Sequence, residues 1–220
     1  MSTTPANAMY SSGGRTVALP SQRRINKVSP QGGASKYNPE NNNVIRIGLS
    51  PALGFVDTHQ SFLSFRILPT GVNFAKEVRL DECCMSWIQK LTIYAGNGSV
   101  LEEIDKYNLL NNLLDKTTAP LGYSSSTGLV LCNSGSKAVR QAKACHLSGY
   151  QYCGGLDCSG IMSGEMGVLL PMSYINSEIT LEITLAPFAE CWVGTELSPG
   201  SASYQIDNVE YVAHCLTFSE

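Results

Sequence analysis

Ile179-Thr180-Leu181-Glu182-Ile183-Thr184-Leu185 alternates large aliphatic and polar residues, and Gly164 through Val168-Leu169-Leu170-Pro171-Met172 leads into it. A period of two is the signature of a strand with one buried face. A helix would interrupt it, because positions two apart lie on different helix faces. The stretch from Gly164 to Leu185 therefore reads as one strand of a large antiparallel sheet, entered through an apolar corner at Leu170-Pro171. The register places Leu181, Ile183 and Leu185 inward and Thr180, Glu182 and Thr184 on the other side. A slip of one residue would bury Glu182 and expose three aliphatics.

The same alternation recurs outward from this strand. Ile45, Ile47 and Leu49 alternate with Arg46 and Gly48, and Leu63, Phe65 and Ile67 alternate with Ser64 and Arg66. Trp87 to Tyr94, the turn Ala95-Gly96-Asn97-Gly98-Ser99 and then Val100-Leu101 read as a hairpin, since Asn-Gly supplies positive φ values at low cost. Near the end, Tyr204 to Val209 leads to Val212, His214, Leu216 and Phe218 on one parity, with the Asp207-Asn208 step reading as a bulge. Leu129-Val130-Leu131 and His146 to Tyr152 are further strand candidates in a stretch rich in Gly, Ser and Thr. Turn signals at Pro51, Pro69-Thr70-Gly71, Gly154-Gly155, Pro187 and Pro199-Gly200 separate these runs. Many short strands joined by loops of unequal length indicate an all-β sandwich or barrel. One helical pattern interrupts them: Ile104, Tyr107, Leu110 and Leu114 recur at spacings of three or four, Leu109 and Leu113 lie beside them, and Asp105 stands where a cap belongs.

At 220 residues the chain buries roughly 70% of its unfolded surface, enough for one core without metal or crosslinks. Residues 1–40 and 41–220 differ in character. Arg15, Arg23, Arg24, Lys27 and Lys36 are five of the fifteen basic residues, and none of the eighteen acidic residues precedes Glu40. A basic segment made of small polar residues cannot by itself offset its ordering entropy, so it reads as an extended arm that docks on neighbours. Its five charges are sparse for phosphate binding, and no aromatics alternate with them to stack bases.

No stretch approaches the roughly 20 apolar residues of a membrane-spanning helix. The opening Met1-Ser2-Thr3-Thr4-Pro5 lacks the apolar run of a secretory leader, which favours synthesis inside a cell with the eight cysteines as reduced thiols. Cys145, His146, Cys153 and Cys158 hold enough ligands for zinc, but the spacing departs from paired knuckles and buried thiols are the better reading. Asp57, His59 and Ser61 evoke a catalytic triad; on a strand all three would share one face, with no separate oxyanion donors. There is no nucleophile elbow, phosphate loop or metal-binding histidine pair. Asn97-Gly98-Ser99 matches a glycosylation sequon, yet a turn explains it. Trp87 and Trp192 fit core packing better than a sugar platform. No catalytic, cofactor or metal site is assigned, and no small-molecule substrate is expected.

Phe55-Val56-Asp57, Ser61-Phe62-Leu63-Ser64-Phe65-Arg66-Ile67, the Leu169-Leu170-Pro171-Met172 entry to Ile179–Leu185, and the closing Tyr204-Gln205-Ile206-Asp207-Asn208-Val209 together resemble the jelly-roll capsid proteins of icosahedral DNA viruses. The likeness is to the N-terminal jelly roll of double-jelly-roll major capsid proteins of the Polinton-like virus and virophage type, and it covers residues 40 to 218. It implies an antiparallel jelly-roll sandwich of about eight strands with one short inserted helix. It also implies a structural protein, not an enzyme, that self-assembles into an icosahedral shell: a major capsid protein, its first jelly roll, or a single-jelly-roll vertex or minor capsid protein. The expected partners are identical or homologous capsid subunits, with the arm reaching minor capsid proteins, genome or an internal membrane. The expected location is the virion capsid, assembled inside the host cell. The alternative is a carbohydrate- or receptor-binding jelly-roll domain of a viral spike.

Overall fold

The computed structural model describes residues 9–12, 15–18, 21–71, 78–80, 84–118, 150–163, 169–175, 177–194 and 202–218. In chain order the elements are β1 (Met9–Ser12), β2 (Arg15–Ala18), β3 (Ser21–Val28), β4 (Lys36–Tyr37), β5 (Val44–Leu49), β6 (Phe55–Thr70), β7 (Val78–Leu80), β8 (Ile88–Tyr94), β9 (Val100–Asp105), α1 (Tyr107–Thr118), β10 (Tyr150–Gly154), β11 (Leu169–Pro171), β12 (Ile179–Leu185), α2 (Phe188–Cys191), β13 (Trp192–Gly194) and β14 (Ser203–Phe218). The fold is predominantly β, with few helices. One principal sheet runs β10-β6-β14-β3, with β11 added to β6 and β4 to β14, and the other runs β5-β12-β8-β9. All pairs are antiparallel. The hairpin β1-β2 and the pair β13-β7 are small separate ladders.

The alternation along Ile179–Leu185 is an alternation of burial. In β12, Ile179, Leu181, Ile183 and Leu185 are buried while Thr180, Glu182 and Thr184 are half-buried on the opposite face. Leu181 and Ile183 lie between Ile47 and Ile45 of β5 and Ile93 and Leu91 of β8. On the other face Glu182 accepts a hydrogen bond from Arg46 Nε at 2.6 Å. The segment is not one strand, however. β11 pairs with β6 in one sheet and β12 with β5 in the other, with a 3-10 turn at Met172–Tyr174 between them. Proline cannot donate to a continuing ladder, so Pro171 ends β11 where the chain changes sheets.

The core lies between the principal sheets. Phe65 packs edge-on against Trp87 at 5.0 Å and beside Tyr152 at 5.8 Å, while Trp192 stacks on Phe188 at 5.5 Å. Both tryptophans are buried, as core residues rather than an exposed platform. The five described cysteines, Cys84, Cys153, Cys158, Cys191 and Cys215, are thiols; Cys83, Cys132, Cys145 and His146 lie outside the described residues, as does Leu129-Val130-Leu131. Among the described residues no group of three or more His, Cys, Asp or Glu is placed to hold a metal ion.

Four local expectations change. Residues 21–37, expected as part of a docking arm, form an edge of the domain's own sheet: β3 pairs from Ser21↔Phe218 to Val28↔Tyr211, and β4 pairs Tyr37 with Ile206. Main-chain bonds to β14 supply the ordering energy that the polar side chains do not, so hydropathy gave no sign of the strand. The β8–β9 turn is not built on two left-handed residues. Ala95 O accepts from Gly98 N at 2.8 Å and only Gly98 has positive φ (81°), a three-residue loop closed by a left-handed glycine. Asn97 Oδ1 accepts from Ser99 N at 3.0 Å, which ties this side chain into the turn.

Helix α1 begins after Lys106 (φ 55°), whose carbonyl accepts from Leu109 N and Leu110 N; Asp105 remains in β9 opposite Lys90 and is not the cap. Its burial follows the expected stripe only in part: Tyr107 is buried and Ile104 and Leu110 are half-buried, but Leu114 is exposed. Asn108, Asn111 and Asn112 are buried, whereas Leu109 and Leu113 are 60% and 59% exposed. The asparagine face meets the loop after β10, where Cys158 Sγ donates to Asn111 Oδ1 at 3.4 Å.

Candidate functional site

Cross-strand partners share a sheet face, so the registers define the outer face of the β10-β6-β14-β3 sheet. Across it, Ile25 of β3 lies opposite His214 of β14, which lies opposite Asp57 of β6; Lys27 lies opposite Val212, and Val212 opposite Phe62. The parity Val212, His214, Leu216 thus faces outward, while Tyr211, Ala213 and Cys215 face the core. The shift arises at Asn208, whose φ of 50° marks the bulge expected at Asp207-Asn208.

The arm cations do not converge on one point. Arg23 Nη2 donates to Gln60 Oε1 at 2.8 Å and lies 3.5 Å from Asp57 Oδ2. Lys27 Nζ meets Glu210 Oε2 at 2.8 Å. Lys36 lies opposite Asp207, whose carboxylate is held by Arg66 Nε and Nη2 at 2.7 Å each. That fork also holds the Arg66 pKa above its ordinary value. Arg24 forms no salt bridge among the described residues, and Arg15 lies in β2. Arg23 and Lys27 are thus neutralised within the domain itself.

The triad-like residues are not a catalytic array. β6 bulges between Asp57 and Phe62, which oppose His214 and Val212, so the regular alternation fails there. His59 is exposed while Asp57 and Ser61 are buried. The Ser61 hydroxyl donates to Asp57 O at 2.7 Å and accepts from His214 N at 3.0 Å, stitching the bulge to β14. Both bonds hold the hydroxyl to main chain, and among the described residues neither His59 nor a carboxylate is hydrogen-bonded to it as a general base would be.

Sequence reading missed a notch in this sheet. Between Asp207, opposite β4, and Tyr211, opposite β3, β14 has no strand partner on that side among the described residues, and loop 29–35 borders the gap. The resulting groove of about 690 Å³ is lined by Lys27, Ser29, Ser64, Gln151, Asn208 and Glu210, with Tyr37 beneath. Its one lysine and one carboxylate neutralise each other, so hydroxyls and amides dominate. The Tyr37 hydroxyl is buried without a hydrogen-bond partner among the described residues, and burial raises its pKa. The only signal was the Pro-Gln-Gly-Gly at 30–33, which marks a loop but not what it borders.

The terminal strands of the two sheets complete the surface features. Among the described residues β10 and β3 bound one sheet, and β5 and β9 the other. Ile25 is 61% exposed on β3; Val100 and Leu101 are about half exposed on β9. Known protein families and curated proteins yield no match to this chain.

Proposed function

We propose that this protein is a structural capsid subunit with a jelly-roll sandwich, assembling with copies of itself into a viral shell. The observation that carries the reading is strand order. Counting the eight longest-paired strands β3, β5, β6, β8, β9, β10, β12 and β14 as one to eight, the sheets run 6-3-8-1 and 2-7-4-5. First pairs with eighth, second with seventh, third with sixth and fourth with fifth. This order supports the reading, since it matches that expected of a long antiparallel ribbon rolled into two Greek keys, the jelly roll of viral capsids. The oppositely charged terminal strands β3 and β9, each without a further strand partner among the described residues, support a role in assembly.

Light scattering of the purified protein tests the proposal. Large homo-oligomers are expected, and a monomer at every concentration and ionic condition would overturn it.

A second reading, a carbohydrate-binding spike domain, is favoured by the notch. A neutral groove rimmed by amides, hydroxyls and a balanced ion pair matches the hydrogen-bonding needs of a polyol. It lacks an exposed aromatic ring for a sugar to stack on, since Tyr37 is buried. Saturable binding of an oligosaccharide, abolished by Gln151→Ala, would favour this reading over the shell.

A further inference from the structure

Two of the four terminal strands, β3 and β9, carry opposite charge. β3 has Arg23, Arg24 and Lys27 and no acid, while β9 has Glu102, Glu103 and Asp105 and no base. Unpaired edges are templates for another strand, and charge is the usual guard against that pairing. Here the guard is selective: β3 against β3 or β9 against β9 sets like charges together, while β3 against β9 sets opposite ones together. Each edge also exposes apolar side chains among its charges, Ile25 on one and Val100 with Leu101 on the other.

Some of these charges have partners within the chain. Lys27 meets Glu210, Glu103 meets Lys90 at 2.9 Å, and Glu102 is bonded by Ser159 Oγ and Gly160 N at 2.6 Å each. The Lys27 and Glu103 pairs are solvent-exposed and weak. Arg24 and Asp105 form no salt bridge among the described residues, one on each edge.

We infer that β3 of one copy adds to β9 of the next, so that the sandwich associates head to tail through its two oppositely charged sheet edges. Main-chain bonds would give affinity and the charges would give polarity. Such a contact is heterologous, and propagates into rings or open assemblies according to the rotation it imposes. The inference rests on the self-assembly reading and specifies its contact.

The test uses two variants of the full chain, Arg24→Glu with Lys27→Glu, and Glu103→Lys with Asp105→Lys, each checked for a wild-type circular dichroism spectrum. Arg24→Gln and Asp105→Asn replace them if either pair fails to fold. Sedimentation equilibrium at low salt should show each charge-reversed variant associating on the order of tenfold more weakly than wild type. An equimolar mixture should recover association, because every β3 then meets a complementary β9. For the neutralised variants the expected result is a weakened salt dependence. Wild-type association of the variants, or a mixture no stronger than either alone, overturns the edge pairing. Closed shells formed by such variants refute the pairing and leave the shell intact. Salt-sensitive chains that never close support the pairing and refute the shell.

Discussion

Replacing Ile183 with alanine tests the core on which the sandwich depends. Ile183 is fully buried and lies between Ile45 of β5 and Leu91 of β8, so both neighbours lose contact at once. The substitution removes three carbons, worth about 2.4 kcal/mol at ~0.8 kcal/mol each. A void of roughly 50 Å³ left by incomplete collapse adds about 1.2 kcal/mol at ~24 cal/mol per Å³. The expected loss is therefore about 3 to 4 kcal/mol. With a urea dependence of about 2 kcal/mol per molar, the unfolding midpoint falls by roughly 1.5 to 2 M. Thr184→Ala, one residue along on the half-buried face, should cost under about 1 kcal/mol. Both are read by urea denaturation followed by tryptophan fluorescence, since Trp87 and Trp192 lie in the same core. Equal losses at the two positions would refute the register and the two-sheet core with it.

Two other perturbations probe the surroundings of the core. Tyr204 donates to Ala186 O at 2.6 Å, and burial pushes the hydroxyls of Tyr204 and Tyr211 well above the ordinary tyrosine range. Because the folded pKa values are raised, their stabilisation is complete below the ordinary value near ~10 and is lost as pH rises from there; urea stability should fall with alkaline pH, and less steeply in Tyr211→Phe. An identical slope in that variant would contradict the assignment. Glu102 binds the turn at 159–161 through Ser159 Oγ, Gly160 N and Ile161 N, so Glu102→Ala should cost about 1 to 2 kcal/mol and speed amide exchange at Gly160 and Ile161; unchanged exchange there would show the brace to be dispensable.

What was legible in the sequence was what side-chain periodicity encodes. β12, β5 and the regular part of β6 each bury an alternate set, and that pattern survives translation into structure. The bulge at Asp207-Asn208 was legible because asparagine is one of the few residues that tolerates a left-handed φ. Features ordered by main-chain bonding were not. β3 is as polar as a tail and becomes a strand because β14 offers it a complete ladder. Helix α1 buries Tyr107 as its periodicity suggests but also an asparagine face, where Asn111 accepts from Cys158 of the following loop, and a polar contact of that kind leaves no hydrophobic trace. The corner at Pro171 was visible as a break, but nothing local says that the strands on either side belong to different sheets. The notch, made of an absent pairing, could only be seen in three dimensions.

The central claim is that these sandwiches build a closed shell. Negative-stain electron microscopy of the purified protein, brought to assembly by lowering the ionic strength, tests it most directly. The account expects closed isometric particles of uniform diameter. A field of single small globules, unchanged by concentration or salt, would contradict it.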